Sequence, residues 1–142
     1  MLYGIPNIIS PELLKILMEM GHGDEIVIGD GNYPAASNAQ RLVRCDGHNV
    51  PEVLNAILQL FPLDQYVEKP VTLMQVVPGD KAETPIWGTF ETIIQERTGK
   101  SETFEMIERF EFYDRARKAY AIIATSESAL YANLILKKGV IA

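Results

Sequence analysis

The sequence predicts an α/β fold, with helices layered on one mostly buried sheet in a single domain spanning residues 1–142. Three observations lead there. Segments with apolar residues at helical spacing alternate with short, nearly continuous apolar runs, the pattern of strands covered by helices. Ser, Asn, Pro and Gly stand at the ends of those segments, where helices start and stop. A chain of 142 residues, 47% of them hydrophobic, also suffices for one core without disulfide or metal support.

Ser10-Pro11-Glu12 predicts the first helix, with Ser as N-cap, Pro in the first turn and an acid facing the positive end of the helix dipole. Leu13, Leu14, Ile16, Leu17 and Met20 form its apolar stripe, and Gly21 stops it. Glu25 to Ile28 reads as a short buried strand that runs into the polar turn Asp30-Gly31-Asn32. Residues 33–44, with Pro34, Ala35, Ala36, Ser37 and Asn38, read as a loop. Asn49 caps a second helix carrying Val53, Leu54, Ile57, Leu58 and Phe61, ended by Pro62. Val71 to Val77 reads as a strand buried on both faces and closed by Pro78-Gly79-Asp80. Thr84-Pro85 repeats the cap-plus-proline start for a helix with Ile86, Trp87, Phe90, Ile93 and Ile94, stopped at Gly99. A strand over 104–107, a helix over 110–118, and strands over 120–125 and 133–136 complete the order. Ligands of such folds sit beyond the carboxyl ends of strands, which makes residues 29–33 a natural site wall.

A net charge of −6 works against binding a nucleic-acid backbone. No stretch approaches the roughly 18 apolar residues of a membrane span, so no membrane partner is expected. Cys45 is the single cysteine, without an internal disulfide partner, and predicts a reducing, cytoplasmic setting. His22 and His48 lack metal-ligand spacing, so no metal is expected. Phosphate-loop, nucleophile-elbow and dinucleotide motifs are all missing.

His22 stands between Gly21 and Gly23, just past a helix and just before a strand. An imidazole titrates near neutrality and suits proton transfer; as a cation it also complements a helix C-terminus, and the local sequence weighs these evenly. Asp24 or Glu25 stands close enough in sequence to orient it. Asp30 presents a carboxylate between two glycines, although an Asx turn is the favoured local reading. Arg109 and Tyr113, four residues apart, share a helix face. The planar guanidinium fork suits a pair of acceptor oxygens and the phenol donates or accepts, yet a surface ion pair and a packing residue are local readings that the pair alone does not displace. Tyr131 and Asn133 flank Ala132 as a polar lip before the last strand, and Asp64 is either catalytic or a turn residue. His48 reads as a solvated turn histidine, and Cys45, with no base beside it, as a small buried residue.

The ordered segments Ile9-Ser10-Pro11-Glu12-Leu13-Leu14, Met20-Gly21-His22-Gly23-Asp24-Glu25-Ile26, Asp46-Gly47, Leu63-Asp64-Gln65-Tyr66-Val67 and Thr84-Pro85-Ile86-Trp87 carry more weight together than any single residue. With Ile107 to Tyr113 and Tyr131 to Val140, they resemble the RbsD/FucU family, the L-fucose mutarotases and D-ribose pyranases, over nearly the full chain. The resemblance implies a mixed central sheet and a cofactor-independent isomerase that interconverts the anomers of L-fucose. It implies a homodecamer of two pentamers, with sites completed by a neighbouring subunit. By position, it implies His22 as proton donor, Asp64 and Tyr113 as further catalytic groups, and Asp30, Arg109, Tyr131, Ala132 and Asn133 as sugar contacts. Arg109, where ribose-type members tend to carry His, and Gly-His-Gly-Asp in place of Gly-His-Thr-Asp put the chain on the fucose side. Ala132 in place of glycine, Cys45 in place of alanine, and a shorter 33–44 loop depart from the pattern.

Mutarotation needs one group to take the anomeric proton and another to protonate the ring oxygen, with neither metal nor redox cofactor. His22 is expected to serve as one group and Tyr113 or Asp64 as the other. A ribose-type pyranase and a sugar-binding protein without turnover are the alternatives.

Overall fold

In the computed structural model, which describes residues 1–142, the chain forms five helices and six strands. In order they are α1 (Pro11–Glu19), β1 (Glu25–Gly29), α2 (Ala35–Asn38), β2 (Leu42–Cys45), α3 (Val50–Ile57), β3 (Val71–Met74), α4 (Ile86–Thr98), β4 (Glu105–Ile107), α5 (Arg109–Lys118), β5 (Ala121–Thr125) and β6 (Leu134–Lys137). Ser10 accepts from the Leu13 N–H (3.1 Å) and Asn49 from the Glu52 N–H (2.9 Å), so both expected caps form. Each satisfies an orphan backbone donor, an effect of roughly 1 kcal/mol. Glu108 caps α5 through the Phe110 and Glu111 N–H groups.

The sheet order is β2-β5-β1-β6-β3-β4. Pairings β2–β5, β5–β1 and β3–β4 are parallel, while β6 is antiparallel to both β1 and β3. Five strands therefore point one way and β6 alone runs back between them. Leu13, Leu54, Ile57, Phe90 and Ile94 from α1, α3 and α4 pack in the larger apolar cluster on one face. Ala35, Phe112 and Ala116 from α2 and α5 build a smaller one on the other. The result is the expected α/β/α layering on a mixed sheet. Coverage on both faces explains why Ile26, Val27 and Ile28 form an unbroken apolar run with no solvent exposure. No helix is long and apolar enough to cross a membrane.

Four local expectations change. Residues 33–44 contain α2 and most of edge strand β2 rather than a loop; β2 is only four residues long and Arg44 interrupts its apolar character. The strand expected over 71–77 stops at Met74, where the ladder continues only as a single bond from the Gln75 N–H to the Ile107 carbonyl. The second helix ends at Ile57, and Leu58 to Leu60 form a turn before Pro62. Thr84 is not the cap of α4: Pro85 already has helical dihedrals, and the Thr84 carbonyl accepts from the Trp87 N–H (3.1 Å).

Strand direction decides where chemistry sits. The carboxyl ends of β1, β3, β4 and β5 share one edge of the sheet with the start of β6. The start of β1 and the end of β6 lie on the opposite edge.

Candidate active site

At the first edge, β1 delivers Asp30 into a cleft of about 280 Å³ that Arg109, Tyr113, Tyr131 and Asn133 also line, with Met74 and Val77 as apolar wall. Asp30 is 7% exposed. Its carboxylate accepts from the Asn32 N–H (3.0 Å), so the Asx turn is real, and its own N–H donates to Asn133 Oδ1 (2.8 Å). Burial pushes the Asp30 carboxyl above its ordinary pKa, against the pull of the backbone N–H groups around it. Arg109 and Tyr113 do share a face. The guanidinium carbon lies 4.6 Å from the Phe110 ring centre and 6.0 Å from that of Tyr113. Arg109 forms none of the chain's ion pairs, so its donors are open to a ligand. The far end of α5 is held by Arg115, which bonds Glu25 of β1 and Glu105 of β4.

Ala132 is fully buried in the larger apolar cluster, so its methyl group belongs to the core. Tyr131 has a left-handed backbone, φ 56°. Its phenol donates to Asp80 Oδ2 (2.5 Å), and its carbonyl accepts from the Trp87 indole (2.8 Å). Neither partner stood out in the sequence: Asp80 read as the end of a turn and Trp87 as helix packing.

His22 and Asp64 lie at the opposite edge. The exit of β6 is the rail that joins them: the Gly23 N–H donates to the Lys138 carbonyl (2.8 Å) and the Asp64 N–H to the Lys137 carbonyl (3.0 Å). Gly23, at φ +87°, makes the turn, and any Cβ at Gly139 would come within 2.5 Å of the Leu63 carbonyl oxygen. His22 Nε2 then meets Asp64 Oδ1 at 3.1 Å, with the Tyr66 ring 5.3 Å from the imidazole centre. Asp64, not Asp24 or Glu25, orients the histidine. Asp24 accepts from the Gly21 N–H (2.8 Å) and Glu25 is taken by Arg115. Burial pushes the Asp64 carboxyl up, but hydrogen bonds from the Tyr66 N–H and His22 outweigh it and hold the group below its ordinary pKa. A carboxylate charged at neutral pH orients an imidazole well and donates protons poorly. His48 is exposed beside Glu52, and Cys45 is buried with its thiol pushed up by burial.

The structure thus brings together five of the sequence-identified residues, Asp30, Arg109, Tyr113, Tyr131 and Asn133, and pairs His22 with Asp64 elsewhere. At about 3.3 Å per residue, β1 alone separates the two groups by roughly 15 Å. No cluster of three or more His, Cys, Asp or Glu side chains is placed to hold a metal ion.

Fold and cleft define a class: mixed-sheet α/β proteins with a small polar site beyond the strand carboxyl ends. Within that class the chain belongs to the RbsD/FucU family; the model of the RbsD / FucU transport protein family matches residues 3–141. Human fucose mutarotase is 52% identical over 147 residues, covering 99% of this chain and 95% of that protein. The L-fucose mutarotase of Actinobacillus pleuropneumoniae serotype 5b is 49% identical over 140 residues, covering 99% and 97%. The crystal structure of the Streptococcus pneumoniae fucose mutarotase in complex with L-fucose superposes with a TM-score of 0.93 at 55% identity, covering 99% of this chain and 100% of that one.

Proposed function

We propose that the chain is an L-fucose mutarotase, an isomerase that interconverts the α and β anomers of L-fucose by ring opening and reclosure. The observation that carries this reading is the near full-length likeness to proteins named fucose mutarotase, one of them solved with L-fucose bound. The cleft supplies what a hydroxyl-rich ring needs: a buried carboxylate acceptor in Asp30, the unpaired donor fork of Arg109, and the lip from Tyr131 to Asn133.

In the reaction a base removes the anomeric hydroxyl proton as an acid protonates the ring oxygen. The C1–ring-oxygen bond breaks, C1 becomes a carbonyl, and rotation about C1–C2 presents its other face. The ring hydroxyl then adds back with the two roles exchanged. We assign one transfer to His22, oriented by the Asp64 carboxylate, and the other to Tyr113, which lines the cleft beside Arg109. Each well-placed group contributes about 10²- to 10⁴-fold.

His22 and the cleft lie at opposite edges, so a complete site requires the histidine of a second copy. This supports a closed ring assembly, in our reading a homodecamer of two pentamers. Cys45, a lone buried thiol, supports a cytoplasmic setting. Saturation-transfer NMR between sugar anomers tests the function: fucose exchange should speed up far more than ribose exchange. Acceleration of neither sugar rejects the enzyme, and acceleration of ribose alone rejects the substrate. Sedimentation velocity tests the assembly, which should have about ten times the chain mass.

A further inference from the structure

We propose that Asp80, in the turn after β3, is a positioning residue of the sugar cleft: by holding the Tyr131 phenol it fixes the backbone that carries Asn133. The inference rests on the mutarotase reading above. Asp80 is itself anchored twice. Its Oδ1 accepts from the Ala82 N–H (2.9 Å), and its own N–H donates to the Val77 carbonyl (3.0 Å). That leaves Oδ2 to accept from the Tyr131 hydroxyl at 2.5 Å, while the Val77 N–H donates to the same phenolic oxygen at 3.3 Å.

The phenol's only proton is therefore committed to Asp80, and Tyr131 serves the cleft through ring and backbone instead of as a hydroxyl donor. The mutual bond pushes the Tyr131 phenol up and the Asp80 carboxyl down. On its other side Tyr131 is held by Trp87, whose indole N–H binds the carbonyl at 2.8 Å. These two attachments bracket the single non-glycine residue of the chain with positive φ. Such a conformation persists only where its surroundings enforce it. Two residues on, Asn133 Oδ1 takes the Asp30 N–H at 2.8 Å. An unbroken sequence of contacts thus runs from an exposed turn, through the strained tyrosine, to the buried carboxylate.

Asp80→Ala, Asp80→Asn and Tyr131→Phe test the assignment. Asp80→Ala should raise the fucose concentration for half-maximal exchange about tenfold, with a much smaller change in the rate at saturation. In sugar-free protein, the Tyr131 ring followed by NMR of ¹³C-labelled tyrosine should ionise at lower pH than in the wild type. Asp80→Asn keeps an oxygen acceptor and should recover most of the affinity. Tyr131→Phe keeps the ring and should reproduce the loss. Wild-type half-saturation in Asp80→Ala or Tyr131→Phe, or an unmoved Tyr131 titration in Asp80→Ala, overturns the proposal. Wild-type protein that leaves fucose exchange at its buffer rate would reject the mutarotase reading instead, and the sugar-free titration would still decide whether Asp80 governs Tyr131.

Discussion

The two edges of the sheet solve different problems. At the carboxyl-end edge, polar groups are buried and fixed from within: Asp30 is 7% exposed, Asn133 is 4% exposed, and Tyr131 is held at both ends. At the other edge Asp64 is buried at 4%, but the His22 side chain it orients is 46% exposed and the adjoining Tyr66 is 73% exposed. One edge is a pocket that this chain largely builds for itself. The other presents a titratable ring outward on a rigid mount. Binding needs many preset contacts, whereas proton transfer needs one movable proton at the right place. On the proposed ring assembly, that separation leaves the second to be supplied by a neighbouring copy.

The largest effect should come from His22→Ala, which should lower fucose exchange by about 10²- to 10⁴-fold with unaltered sedimentation. Near-normal exchange would reduce His22 to a helix-end residue and dissolve the contrast between the edges. Co-refolding equal amounts of His22→Ala and Asp30→Ala should next raise exchange above that of either variant alone, by restoring about a quarter of the sites, those pairing an intact edge from each of two copies. No recovery would mean that each chain completes its own site. Arg109→Ala should weaken fucose binding about tenfold, measured by titration calorimetry; unchanged affinity would remove the guanidinium from the sugar edge.

Asp30→Asn gives the smallest and most specific signal. Because burial raises the Asp30 pKa on folding, the ionised form opposes folding at neutral pH. That penalty is complete above the folded-state pKa and fades as pH falls through it toward the unfolded value. The asparagine variant should therefore have a higher urea midpoint than wild type at pH 7, with the gain shrinking at pH 3, while fucose binding weakens. A variant less stable at both pH values would show that hydrogen bonding to the carboxylate outweighs its burial.

Two helix starts were legible because caps are local: Ser10 and Asn49 act on N–H groups three residues ahead, whereas Thr84 offered the same signal without capping α4. Central strands were legible because coverage on both faces leaves an uninterrupted apolar run. Edge strand β2 was not, since four residues with Arg44 among them carry too little periodicity. The candidate residues could be picked out one by one, and the flanks of β1 already part His22 from Asp30, but the placement of Tyr131 and Asn133 beside Asp30 could not be read, because it depends on the direction of β6, a pairing choice made across the chain. The same holds for the partner of His22. Asp24 and Glu25 are its sequence neighbours, yet the shared contact with the end of β6 selects Asp64, 42 residues away.

The lone reversed strand also makes the molecule unevenly fragile to insertions. Successive side chains of a strand alternate between faces, so one added residue shifts everything beyond it to the wrong side. In β2 such a slip would disturb an outer rim remote from both His22 and Asn133. In β6, with Asn133 just before its first residue and Lys137 as its last, whichever side slipped would carry away either the Tyr131–Asn133 lip or the support beneath His22. Four residues thus tie the geometry of one edge to that of the other.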